Sequence, residues 1–142
     1  MTVRPLTDDD AAAVSRLSQL AFGWKSEELP GTLKEQTWLG VDGPDGLAGM
    51  VRLRAYEQWF SGRPVRMGGI AGVAVHPHAR GQGTARQLMA AALVRMRQDD
   101  QPVSTLFPTA PGIYRPLGWE VAGTLDETPL RTAELRRAPD PG

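Results

Sequence analysis

The sequence predicts an α+β domain built on a mainly antiparallel sheet. Two long arms of extended pattern, residues 47–60 and 65–75, are separated by the turn Ser61-Gly62-Arg63-Pro64. A shorter arm, 38–41, precedes them across the turn Gly43-Pro44-Asp45-Gly46. Beyond Pro77 the apolar period changes from 2 to 3.6, which marks a helix. Connections this short join antiparallel neighbours, because a parallel crossover needs a dozen or more residues.

In chain order, segment 3–6 is a short strand, and Thr7 followed by Asp8, Asp9 and Asp10 supplies an N-cap and first-turn carboxylates that suit the positive end of a helix. Ala13, Val14, Leu17, Leu20 and Ala21 then mark one apolar face, and Pro30-Gly31 interrupts the chain before the first hairpin. After the long arms, Ala85, Leu88, Met89, Ala92, Leu93 and Met96 share a face of a helix that ends near Asp99. Segment 103–107 is a short strand, 113–117 a helical turn, and 119–122 and 130–135 are the last strands. The tail Ala138-Pro139-Asp140-Pro141-Gly142 reads as frayed, which leaves 1–137 as a single domain.

Composition bounds the function. The chain has 142 residues, 41% of them hydrophobic, enough for one domain with a real core. Sixteen basic residues balance sixteen acidic ones, so no net field recruits nucleic acid or an anionic membrane. The absence of cysteine removes disulfides, thiolate zinc sites and a cysteine acyl intermediate. No apolar run approaches the roughly 20 residues that cross a bilayer, and Met1-Thr2-Val3-Arg4-Pro5 is not followed by a secretory apolar core. A soluble, cytoplasmic protein is expected. His76 and His78 flank Pro77 without a third ligand in view, so solvated imidazoles are expected there and no metal. Trp24, Trp38, Trp59 and Phe60 could line an acceptor pocket, but aromatics at such positions are more often core or interface and receive no catalytic role.

The chemistry concentrates in the stretch from Gly72 to Ala85, which passes from strand to glycine-rich turn to helix. Helix-start N–H groups lack intrahelical acceptors and carry the positive end of the dipole, so such a turn takes up phosphate readily. Gly81 and Gly83 permit close backbone approach. A P-loop is excluded because no Gly-Lys-Ser/Thr follows, and the dinucleotide fingerprint is excluded because Arg86 stands where its third glycine belongs. The pattern that fits is Arg/Gln-x-x-Gly-x-Gly/Ala, met by Arg80, Gly83 and Ala85 after a strand reading Val73-Ala74-Val75-His76-Pro77.

On these residues the sequence resembles the GNAT N-acetyltransferases. The resemblance implies a GNAT fold, a mixed, mainly antiparallel sheet with helices on both faces, split beside Val73, Ala74 and Val75. It implies acetyl-CoA as cosubstrate, with the pantetheine arm bound along that strand as if it were another strand. The pyrophosphate would meet Arg80 and the N–H groups of Gly81, Gln82, Gly83, Thr84, Ala85 and Arg86, with Thr109 also in the cofactor set. The N–H of Val75 would polarise the thioester carbonyl. Ala71-Gly72-Val73-Ala74-Val75-His76-Pro77 and Gly112-Ile113-Tyr114-Arg115-Pro116-Leu117-Gly118-Trp119 are similar, more narrowly, to the first domain of Eis-type acetyltransferases, over residues 7–137. By that resemblance Tyr114 is the general acid for the departing CoA thiolate, and the acceptor is a primary amine that attacks directly.

The sequence departs from the Eis pattern in two places. Ala110-Pro111 replaces a glutamate, and the C-terminal carboxylate that serves as base belongs to a later domain that these 142 residues do not include. The proton acceptor is therefore open among Glu57, a water chain and the carboxylate of Gly142. A small-molecule or peptide amine is expected as partner, whether aminoglycoside, lysine, polyamine or N-terminal amine. The oligomeric state stays open, a homo-oligomer among the options. The second reading is a module that binds acyl-CoA without turnover, or a detached first domain of a longer Eis-like enzyme.

Overall fold

The structure is a computed structural model and describes residues 2–23, 33–34, 36–129 and 131. The Pro30-Gly31 interruption, Trp24, the expected strand at 130–135 apart from Arg131, and the C-terminal tail lie outside the described residues.

Five strands form one sheet in the order β1 (Val3–Pro5), β2 (Thr37–Gly43), β3 (Gly46–Phe60), β4 (Arg63–Val75) and β5 (Val103–Thr105). The first three pairings are antiparallel, and β4 with β5 is parallel, so the sheet is mixed. Alternation along β2 and β3 sends side chains to two cores. Leu39, Val41, Val51 and Leu53 pack on one face against Leu88, Met89, Ala92 and Met96 of α2 (Thr84–Gln98). Trp38 and Met50 pack on the other with Val14 and Leu17 of α1 (Ala11–Phe22). Helices thus cover both faces. No helix among the described residues is long and apolar enough to cross a membrane.

The residues after Thr7 wind first as a 3-10 turn, Asp8–Asp10, in which Thr7 and Asp10 form a reciprocal capping box before α1 begins. The apolar faces read from sequence are corrected at two residues. Leu20 is exposed and Ser18 is buried, because Val14, Leu17, Ser18 and Ala21 follow the i, i+3, i+4, i+7 line that meets the sheet. Leu93 lies on the flank of α2, where the buried row is Thr84, Leu88, Met89, Ala92 and Met96. The strand expected at 119–122 is also corrected. No strand is present there: Trp119 packs against the α2-side core, and residues 120–129 are exposed with no ladder partner. Segment 103–107 forms strand only over Val103–Thr105.

Arg4 ties the edge of the sheet to the start of α1. Its guanidinium donates to Asp42 at 2.6 Å and to Asp10 at 2.8 Å. These hydrogen bonds hold both carboxyls below the usual carboxylate range. A depressed folded-state pKa contributes stability above the unfolded value of about 3.9, and that contribution is lost as pH falls through the folded value. The melting-temperature gap between wild type and Arg4→Gln is therefore expected to be constant above pH 5 and to close as pH falls below about 4. A gap independent of pH would remove the ion pairs as its cause.

Candidate active site

β4 parts from β5 after a short contact. Met67, Gly68 and Gly69 pair with Val103, Ser104 and Thr105, while β4 runs on to Val75 with no described strand on that side. A bulge accompanies the parting. The β3 register moves from Met50 opposite Ala74 to Arg52 opposite Ala71, so Val51 faces an extra residue of β4, and Gly72 adopts a left-handed φ of 56°. His76 donates its N–H to the carbonyl of Ala48 at 2.8 Å. Alternation then turns the N–H groups of Val75 and Val73 away from β3 and into the gap.

The chain leaves β4 through a 3-10 turn, Pro77–Ala79, and enters α2 through a loop held open by glycine. Gly83 precedes the helix with φ 79°, and a Cβ built on it would meet no atom within 4 Å, so the backbone here fronts open space. Thr84 is buried and donates its hydroxyl to the Ala79 carbonyl at 3.2 Å, which turns its side chain inward and leaves its N–H to the loop. The first turn of α2 contains no acidic side chain, so the positive end of its dipole is not neutralised from within. Arg80 donates from Nε to the carbonyl of Val75 at 3.4 Å, bridging loop and strand.

Gap and loop open into one cavity of about 600 Å³. Its wall brings together Val73, Ala74 and Val75 with Arg80, Gly81, Gly83, Thr84, Ala85 and Arg86, and reaches Thr109 and Tyr114. Gln82 is not brought there. Its amide donates to the His78 carbonyl at 2.7 Å, and it lines a separate cavity of about 240 Å³ beside the stacked imidazoles of His76 and His78. Sequence reasoning missed Ala21 and Phe22, which close the cavity from the end of α1, and Ile113, Pro116 and Leu117 on the far wall. The signal available for Phe22 is an aromatic just before Gly23, whose φ of 68° ends the helix.

Tyr114 ends α3 (Pro111–Tyr114), and burial raises its phenol pKa. The group is thus a protonated donor at neutral pH. Its ring meets Trp119 edge-on at 6.4 Å, and Trp119 in turn donates Nε1–H to the Ser104 hydroxyl of β5 at 3.3 Å. The tyrosine is fixed to the strand on the other side of the gap. Trp38 is buried in the α1-side core, while Trp59 and Phe60 are exposed near the β3–β4 turn.

Glu57 stands opposite Arg66 on the outer part of β3 and does not line the cavity. Gly142 lies outside the described residues. No described carboxylate or imidazole lines the cavity. Among the described residues no three His, Asp or Glu groups converge as a metal site. Extensive chelation is accordingly expected to leave the melting temperature unchanged. A loss reversed by zinc would refute this.

The Acetyltransferase (GNAT) domain model matches residues 2–122. A GCN5-related N-acetyltransferase from Kribbella flavida superposes with a TM-score of 0.74 at 32% identity, over 82% of this chain and 32% of that one. A conserved protein from Enterococcus faecalis, described as a probable N-acyltransferase, superposes with a TM-score of 0.74 at 23% identity, over 82% of this chain and 31% of that one. The chain thus spans about a third of the length of these two relatives. An aminoglycoside antibiotic 6'-N-acetyltransferase from Acinetobacter haemolyticus shares the fold, with a TM-score of 0.70 at 16% identity over 92% of this chain and 99% of that one. No curated protein matches the chain. With the family model covering most of its length, and with a split mixed sheet between two helical layers, the chain belongs to the GNAT acetyltransferase family.

Proposed function

We propose that the chain binds acetyl-CoA in the gap between β4 and β5 and passes the acetyl group to a primary amine by direct attack. The observation that carries this is the single cavity joining three things: the outward N–H groups of β4, the open N-terminus of α2, and Tyr114. The residues fit the cosubstrate. Gly81 and Gly83 leave unfilled space where a Cβ would stand, α2 supplies free N–H donors for a pyrophosphate, and Arg80 and Arg86 add positive charge. Acetyl-CoA would supply an activated acyl carbon and a thiolate leaving group.

The chain's own residues do the rest. The N–H groups of Val73 and Val75 orient an extended arm as a neighbouring strand would, and the N–H of Val75 donates to the carbonyl oxygen as charge develops on it. Tyr114 holds a proton beside the leaving sulfur and gives it up as the bond breaks. A free amine of pKa about 10.4 is neutral in only about one molecule in a thousand at pH 7, so a proton must leave it. With Glu57 remote, a water chain through the cavity mouth is the route left by the described residues.

The strings 71–77 and 112–119 are what supports an Eis-type first domain as the nearer kinship. The one-third coverage of two longer relatives, with no described base in the cavity, favours the second reading of a module that binds acyl-CoA and needs further chain for turnover. Calorimetry with acetyl-CoA, followed by free-thiol release against an amine panel, separates them. Micromolar binding with amine-dependent thiol release is expected. Binding without release supports the module, and no binding overturns the proposal.

A further inference from the structure

We propose that Trp119 is a positioning residue for the proton donor: hung by its indole N–H from Ser104 of β5, it sets the place of the Tyr114 phenol at the cavity wall. This rests on Tyr114 as the general acid and adds the residues that hold it.

Tyr114 has little support from its own helix. α3 has four residues, too few to persist on backbone hydrogen bonds alone, and the chain leading into it, residues 107–112, is exposed. The order comes from the other end. A 3-10 turn, Arg115–Leu117, follows Tyr114, and Gly118 then takes a left-handed φ of 101°. Gly118 donates its N–H to the Arg115 carbonyl at 3.0 Å, and Trp119 donates its N–H to the Tyr114 carbonyl at 3.4 Å. These two bonds about a left-handed glycine form a Schellman ending, which folds the residue after the glycine back over the last turn. The Trp119 ring accordingly meets the Tyr114 ring edge-on, with 75° between their planes, an arrangement that aromatic pairs favour.

The indole is tied in turn to the sheet. Its Nε1–H donates to the Ser104 hydroxyl at 3.3 Å, and Ser104 stands opposite Gly68 where β5 is paired with β4. Ile113 and Leu117 also pack on the α2-side core, but apolar packing has no preferred direction, whereas a hydrogen bond does. The ion pair of Arg115 with Glu120 spans the same turn at 2.6 Å with both side chains exposed, and such pairs contribute little. Neither Trp119 nor Ser104 lines the cavity, so both act through Tyr114. The proton must be delivered within hydrogen-bond reach of the sulfur, and a misplacement of about 1 Å can slow such a step by about 10²-fold.

The test uses Ser104→Ala and Trp119→Phe, which remove the acceptor and the donor of one hydrogen bond. Each is assayed by thiol release on the best amine, alone and combined with Tyr114→Phe, with acetyl-CoA affinity read by calorimetry and folding by thermal melt. Each alone is expected to lower kcat by about threefold to tenfold, the worth of one hydrogen bond, at unchanged acetyl-CoA affinity. The two together are expected to match Trp119→Phe, and Ser104→Thr, which keeps the hydroxyl, is expected to rescue kcat. With Tyr114→Phe in place, neither is expected to lower kcat further. Ser104→Ala, the smaller change, decides alone if Trp119→Phe does not fold. Folded variants with wild-type kcat, or an equal fall with Tyr114→Phe in place, overturn the positioning role while the acid stands. Wild-type kcat in Tyr114→Phe itself defeats the acid, and no thiol release with any amine defeats acetyl transfer; either takes the positioning role with it.

Discussion

Tyr114→Phe is expected to lower kcat by about 10² to 10⁴ while acetyl-CoA affinity stays at its wild-type value. The phenylalanine keeps the edge contact with Trp119 and the packing at the cavity wall, so the substitution removes a proton and little else. Burial raises the phenol pKa, so the acid remains loaded throughout the neutral range and only alkaline pH empties it. The high-pH limb of the wild-type kcat profile should accordingly fall above pH 10 and be absent from the variant. A folded Tyr114→Phe protein with wild-type kcat on its best amine would reduce the tyrosine to packing and leave solvent as the acid.

Gly83→Val is expected to weaken acetyl-CoA binding by at least 10²-fold. Its φ of 79° suits glycine, and a β-branched residue there adds about 1–2 kcal/mol of backbone strain that a thermal melt would register. The larger effect is on the ligand. The space in front of Gly83 is free of protein atoms, so valine methyl groups would occupy the position proposed for the pyrophosphate. Losing two charge-assisted hydrogen bonds at about 1.5–3 kcal/mol each corresponds to two to four decades in Kd. Calorimetry on a protein shown to be folded decides the matter, and unchanged affinity would take the loop out of the site.

The parts of the site that were legible in sequence are those written by local backbone chemistry. Gly83 before α2, the strand ending at Val75 and the apolar row from Leu88 to Met96 depend on residues a few positions apart. What escaped depends on distant neighbours. Phe22 reaches the cavity only because α1 crosses the face that carries Ala74. Leu20 and Leu93 look like core in a helical pattern, yet both are exposed, while the polar Ser18 and Thr84 are buried. Gln82 sits inside the matching motif, but its side-chain amide donates to the His78 carbonyl and it lines the neighbouring cavity. Segment 119–122 has strand composition, yet residues 120–122 are exposed and pair with no described strand.

The bulge at Gly72 has a genetic consequence. Before it, odd-numbered residues of β4 such as Ala71 share the α1 face; after it, even-numbered Ala74 takes that face and Val73 and Val75 pack toward α2. Because β3 is regular across the bulge, removing the Gly72 codon would take out the extra residue and leave Val73, Ala74 and Val75 opposite Val51, Met50 and Gly49 on the faces they now hold. In a scan of codon deletions, Gly72 marks a position where β4 carries a residue to spare.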